Sequence, residues 1–107
     1  MQKELVFNLA SKTAKLLGTE APELDDVVVN GDYVGEGYSL PTDGMVKAVK
    51  LLAESEALIL DPVYTGKTMH GLIDLAGKGA FKKGENILFL HTGGATALYA
   101  YKDYLGL

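Results

Sequence analysis

Cysteine is absent from this chain of 107 residues, which excludes a disulfide framework, a thiolate nucleophile and a cysteine-ligated metal. A broad basic surface is also lacking: the formal net charge of -4 leaves little to hold a phosphodiester backbone, so nucleic acid is not an expected partner. His70 and His91 lie far apart, neither in HExxH nor in a similar ligand spacing, so no metal site is expected. No apolar run approaches the roughly 20 residues of a membrane span. The N-terminal MQKELVFNLASK is amphipathic, interrupted by Lys3 and Glu4, and lacks the apolar core of a signal peptide. These absences make a soluble, cytoplasmic protein with no membrane partner the expectation. Linkers, low-complexity tracts and close sequence repeats are missing too.

What remains is an ordinary globular balance, 48% apolar and 22% charged, enough for one small domain over residues 1–107 with a modest core. Three short runs are apolar at consecutive positions: Val27-Val28-Val29, Leu58-Ile59-Leu60 and Ile87-Leu88-Phe89-Leu90. Such runs suit strands buried on both faces of a parallel sheet, and their starts are about thirty residues apart, the length of a βαβ unit. Helical spacing fills the gaps, in Met45, Ala48, Val49 and Leu52, then in Met69, Leu72, Ile73 and Ala76, and finally in Ala97, Ala100, Tyr101 and Tyr104. A first helix is expected over roughly Lys3 to Leu17, with Val6, Leu9, Ala10 and Thr13 on one face and Gly18 at its end. Thr42 and Asp43 are N-cap candidates, and Gly77 and Gly79 helix stops. The fold class this implies is α/β, a three-layer αβα parallel sheet built from consecutive βα units. A three-stranded sheet would have two exposed edges, which points to more chain or to a homo-oligomer through an edge.

Ligands of open parallel sheets bind beyond the carboxyl ends of the strands. Here those ends would be residues 30–38, 61–66 and 91–94, rich in Gly, Tyr, Thr and Asp. The turn His91-Thr92-Gly93-Gly94 would let backbone approach a ligand, or would simply be a tight turn capped by threonine. Tyr38 and Tyr64 stand in glycine-flanked turns, where a phenol can bond a ligand or exchange a proton; the alternative is an aromatic plug. Tyr33 is similar but less constrained. Gly66-Lys67-Thr68 ends like a phosphate loop, yet Asp61 occupies the place of that motif's first glycine, which argues against nucleotide binding. Asp61, before Pro62, is expected to tie its loop down through backbone amides. His70 is expected at a surface or boundary, and His91 in a hydrogen-bonding role.

Three segments resemble a known family. Leu60-Asp61-Pro62-Val63-Tyr64-Thr65-Gly66-Lys67, followed by Met69 and Gly71-Leu72-Ile73-Asp74, is nearly the LDPVYTGKxMxGLID signature of D-cysteine desulfhydrases. Tyr33-Val34-Gly35-Glu36-Gly37-Tyr38 with Leu40-Pro41-Thr42 resembles the segment upstream of it, and residues 87–101 resemble the closing ILFxHTGGxPALFAY. The resemblance is to the D-cysteine desulfhydrase and 1-aminocyclopropane-1-carboxylate (ACC) deaminase family, pyridoxal-phosphate (PLP) enzymes of the tryptophan-synthase-like type, usually homodimeric. It implies that Tyr38 and Tyr64 are active-site tyrosines facing a small amino-acid substrate. It also implies that Thr65 lies next to the pyridine nitrogen of PLP, keeping it largely unprotonated, with Thr92 and Gly93 as further cofactor contacts.

Deaminases typically carry glutamate at the position of Thr65 and leucine at that of Thr92, so both residues tilt the resemblance toward a desulfhydrase, releasing pyruvate, ammonia and sulfide from D-cysteine. The family's cofactor lysine lies in the N-terminal half, and Lys67 does not match it. The expectation is therefore a C-terminal portion or split subunit, inactive without its N-terminal partner, with an ACC deaminase portion or a non-catalytic assembly domain as alternatives. Ser39 and Ala57 stand where the family usually has glycine, and Glu54 where it has arginine.

Overall fold

The computed structural model describes residues 1–107, and the chain divides into two compact units, Met1–Gly31 and Asp32–Leu107. In the first unit, helix α1 spans Gln2–Leu17 and closes on Gly18 in the left-handed conformation, φ 69°. That end is the one expected from the sequence, because a residue without Cβ adopts positive φ at little cost. The face read as inward differs: Val6 and Leu9 are exposed, and Ala14 is the buried residue of the helix. A 3-10 turn at Leu24–Asp26 follows, closed by reciprocal bonds between Glu23 and Asp26. Lys3 Nζ reaches Asp25 at 3.2 Å across this unit.

The second unit is built on two helices, α2 (Asp43–Glu56) and α3 (Thr65–Gly77). Thr42 caps α2 by accepting a hydrogen bond from the Met45 amide at 3.1 Å, as the sequence indicated. The apolar periodicities of both helices meet in one core of Met45, Ala48, Val49, Leu60, Met69 and Leu105. Met45 is wholly buried, and a cavity left by Met45→Ala would cost about 2–5 kcal/mol. Two glycines set the close approach. A Cβ on Gly66 would fall 2.7 Å from the Asp61 carbonyl and 2.8 Å from Val49, and one on Gly44 would fall 2.1 Å from the His70 ring.

The chain contains no β-strand, and the expected three-layer parallel sheet is not formed. The runs at 27–29, 58–60 and 87–90 are non-helical but carry no strand pairing. Leu60 is buried in the core and Phe89 packs against it, whereas Val28, Leu88 and Leu90 are more than three-quarters exposed. A continuous apolar run records a demand for burial, but strand structure also needs a neighbouring backbone to accept and donate its hydrogen bonds. No such neighbour is supplied among these residues, and the expected oligomer edge falls with the sheet. The last expected helix also changes form. Ala95–Tyr101 winds as a 3-10 helix that passes into a short α4 (Lys102–Leu105). Three-residue spacing carries Leu98 and Tyr101 against the core together. No helix is long and apolar enough to cross a membrane.

Helix α2 ends on Ala57 with φ 55°, a left-handed position that suits glycine. Ala57→Gly is expected to raise stability by about 0.5–1 kcal/mol, the relief of Cβ strain less the entropy gained by the unfolded chain. A urea unfolding midpoint that stays level or falls would contradict this.

Candidate functional site

Asp61 organises the turn that precedes α3. Its carboxylate, 2% exposed, accepts four hydrogen bonds: Oδ1 from the Thr65 amide at 2.7 Å and the Thr65 hydroxyl at 2.6 Å, and Oδ2 from the amides of Val63 at 2.8 Å and Tyr64 at 2.7 Å. Its own amide donates to Thr65 Oγ1 at 2.8 Å. Burial pushes the carboxyl pKa up, yet the bonds from the Thr65 hydroxyl and from the amides of Thr65, Tyr64 and Val63 outweigh it. The net effect holds Asp61 below the usual carboxylate range. Asp61 is therefore ionised at neutral pH, acts only as an acceptor, and fixes the direction of the Thr65 proton.

This turn presents the Tyr64 side chain outward, 58% exposed, and there it meets Tyr38. The two phenol oxygens are 2.9 Å apart, with ring centroids at 5.9 Å. Tyr64 has its pKa raised, first by the hydrogen bond to Tyr38, then by partial burial and by the charges of Tyr38 and Asp61. Both expected tyrosines are thus brought together, one from the loop before α2 and one from the loop before α3. Tyr33 is not part of the pair. Its hydroxyl donates to Asp74 Oδ2 at 2.6 Å, and its ring meets His70 edge-on at 5.3 Å.

The His91-Thr92-Gly93-Gly94 turn lies beside Asp61, since a Cβ on Gly94 would stand 3.1 Å from that of Asp61. His91 is a structural bridge here. Its Nδ1 accepts from the Gly93 amide at 3.0 Å, which leaves the proton on Nε2 to donate to the Ile59 carbonyl at 2.9 Å. The Gly93 amide is consequently engaged, while Thr92 is exposed. His70 packs over Gly44 with its Nδ1 buried and unpartnered.

Sequence reasoning missed two contacts. Lys67, 7% exposed, extends its ammonium to the carbonyls of Val34 at 2.6 Å and Gly37 at 3.1 Å. Tyr101 donates to the Ser39 carbonyl at 2.6 Å, and its oxygen lies 2.9 Å from the Ser39 hydroxyl. Ser39 has φ 64°, the left-handed value that explains the glycine usual at this place. A signal for Lys67 was available: it stands four residues before Gly71 and seven before Asp74, on the face of α3 that receives Tyr33.

Comparison with known proteins gives a consistent picture. The family model described as pyridoxal-phosphate dependent enzyme matches residues 2–93. The chain is 48% identical over 101 residues to a 1-aminocyclopropane-1-carboxylate deaminase of Bradyrhizobium diazoefficiens, covering 92% of this chain and 30% of that protein. A protein of the same name from Burkholderia vietnamiensis is 42% identical over 102 residues, covering 94% of this chain and 30% of the relative. A solved structure, described as that of an ACC deaminase homologue, superposes with a TM-score of 0.68 at 40% identity, over 92% of this chain and 29% of the other. The chain thus spans about 30% of the length of the curated relatives it matches.

The Asp61 geometry makes two linked predictions. Its depressed pKa contributes stability that is fully present above the unfolded carboxyl value of about 3.9 and is lost as pH falls through the folded value. Asp61→Asn sets an amide NH2 against donors and is expected to cost about 2–4 kcal/mol at neutral pH, while removing that acid-range loss. Parallel acid unfolding curves for the two proteins would contradict the assignment.

Proposed function

This chain belongs to the pyridoxal-phosphate dependent enzyme family, and from that premise we propose that it supplies the tyrosine side of an active site for a small amino acid. D-cysteine desulfhydration is the favoured reaction. The observation that carries the proposal is the Tyr38–Tyr64 phenol pair, 2.9 Å apart, exposed and seated on the Asp61 turn. The cofactor, when bound, supplies an electron sink that stabilises negative charge at the substrate α-carbon.

The donor set fits that group in part. Thr65 Oγ1 gives its proton to Asp61 Oδ1 and takes one from the Asp61 amide, so a single lone pair is left for a further partner. That lone pair would accept from a ring N–H of the cofactor. Being neutral, it stabilises the ring proton less than a carboxylate at this position would, which agrees with the desulfhydrase tilt of Thr65. Lys67 does not suit a covalent link to the cofactor, because its ammonium is already bonded to two carbonyls. The linking lysine belongs, on this reading, to chain beyond these residues. Thr92 and Gly93 are proposed as further cofactor contacts, supported by the approach of their neighbour Gly94 to Asp61, and the Gly93 amide would first have to leave His91.

Tyr64 holds its proton at neutral pH and so serves as an acid. In a β-elimination the Cβ–S bond breaks with its electron pair on sulfur. Tyr64 Oη can protonate that sulfur, and Tyr38, 73% exposed, can restore the proton from water. A second reading, ACC deamination, is favoured by the names of the relatives. The same phenol would then protonate a substrate carbon.

The test is to combine this chain and PLP with the lysine-bearing portion of a relative, such as the ACC deaminase of Pseudomonas syringae pv. tomato. Sulfide from D-cysteine and ammonia from ACC are then measured. Sulfide release exceeding ACC turnover is expected, with Tyr64→Phe reducing it by about 10²-fold or more. Preference for ACC would establish the second reading, and undiminished turnover by Tyr64→Phe would sink the role of the pair.

A further inference from the structure

The loop that carries Tyr38 has no helix or strand of its own between Tyr33 and Thr42, yet it delivers an exposed phenol to within 2.9 Å of another. Something must hold it. The loop is tied down at three places. Tyr33 donates to Asp74, with its ring lying against Gly71, and Tyr101 donates to the Ser39 carbonyl. Between them, Lys67 binds the carbonyls of Val34 and Gly37, and Gly37 is the immediate neighbour of Tyr38.

Lys67 is also placed three residues after Tyr64, in the first turn of α3. A single helix start therefore presents one phenol and grips the loop that presents the other. Lys67 is 7% exposed as a residue, and its ammonium forms no ion pair with a carboxylate. Burying a cation without a counter-ion is costly, and a methyl-terminated side chain of similar length would fill the space without that cost. What the ammonium adds is several donors at one point, bonding the carbonyl of Val34 and, alongside the Leu40 amide at 3.4 Å, that of Gly37, so that two points of the loop are held from one side chain.

We propose that Lys67 is the positioning residue of the tyrosine pair, fixing the distance between Tyr38 and Tyr64 through the carbonyls of Val34 and Gly37. The importance of this strap for turnover rests on the functional reading above. The strap itself does not, and it can be tested on the chain alone.

The experiment is a pH titration followed by NMR of the chain labelled at tyrosine Cζ, comparing the unmodified protein with Lys67→Met and Lys67→Arg. In Lys67→Met the Tyr64 midpoint should move down toward the ordinary phenol value of about 10 as its bond to Tyr38 is lost. Tyr33 should keep its raised value, since its Asp74 partner is untouched, and this separates loss of the strap from general unfolding. Lys67→Arg, which keeps a cation with several donors, should restore the Tyr64 midpoint at least in part. A folded Lys67→Met protein with an unchanged Tyr64 midpoint would overturn the proposal. Should Lys67→Met not fold, the Nζ–H signal of Lys67 in the unmodified chain decides. Exchange with water at least about tenfold slower than that of exposed lysines supports the strap, and equal exchange overturns it. A shifted Tyr64 midpoint together with undiminished turnover by Tyr64→Phe would leave the strap standing and remove the functional reading.

Discussion

The carboxylate of Asp61 is the point on which the second unit depends. Three consecutive amides, those of Val63, Tyr64 and Thr65, aim at one buried side chain, and the hydroxyl of Thr65 closes the set. These amides lie at the start of α3, where donors have no partner within the helix, so a single anion satisfies them and favours the positive end of the helix dipole. The same bonds decide which way Tyr64 and Thr65 face. Tyr64 is turned outward, while Thr65 is buried with both its amide and its hydroxyl on the carboxylate. The chemistry offered at the surface follows from that commitment.

Around this turn, small residues and long polar side chains divide the labour. Gly66 lets α3 close against Val49 and the Asp61 carbonyl, and Gly44 admits the ring of His70. Lys67 and Tyr101 then reach the loop before α2 and fasten it, and Tyr33 of that loop anchors it to Asp74. The apolar core of Met45, Val49, Leu60 and Met69 supplies the adhesion between α2 and α3. It does not specify where the Tyr38 loop lies. That placement rests on hydrogen bonds to backbone carbonyls, whose worth depends on leaving none of them bare.

The helices could be read in the sequence because each carries its own evidence. The Thr42 cap, the 3.6-residue apolar spacing of α2 and α3, and Gly18 after α1 are local signals, and all fall where they were expected. Strand formation is different, since a run such as Ile87–Leu90 states that it seeks burial but not what will pair with it. Here nothing does. The tyrosine pair was half legible: glycine-flanked phenols suggested a site, and the family resemblance joined Tyr38 to Tyr64, but their 2.9 Å contact needed the fold. Lys67 was misleading in isolation, because it sits in a Gly-Lys-Thr sequence that suggests phosphate. Its actual partners are carbonyls 33 and 30 residues away, which no local pattern records.

The account turns on the two phenols behaving as one proton-sharing unit rather than as neighbouring surface tyrosines. The most direct measurement is the titration of the Tyr64 phenol, observed by NMR, in the unmodified chain and in Tyr38→Phe. With the pair intact, Tyr64 should ionise above the ordinary phenol value, and removal of the Tyr38 oxygen should bring it down toward about 10. A Tyr64 midpoint that is the same in both proteins would contradict the account.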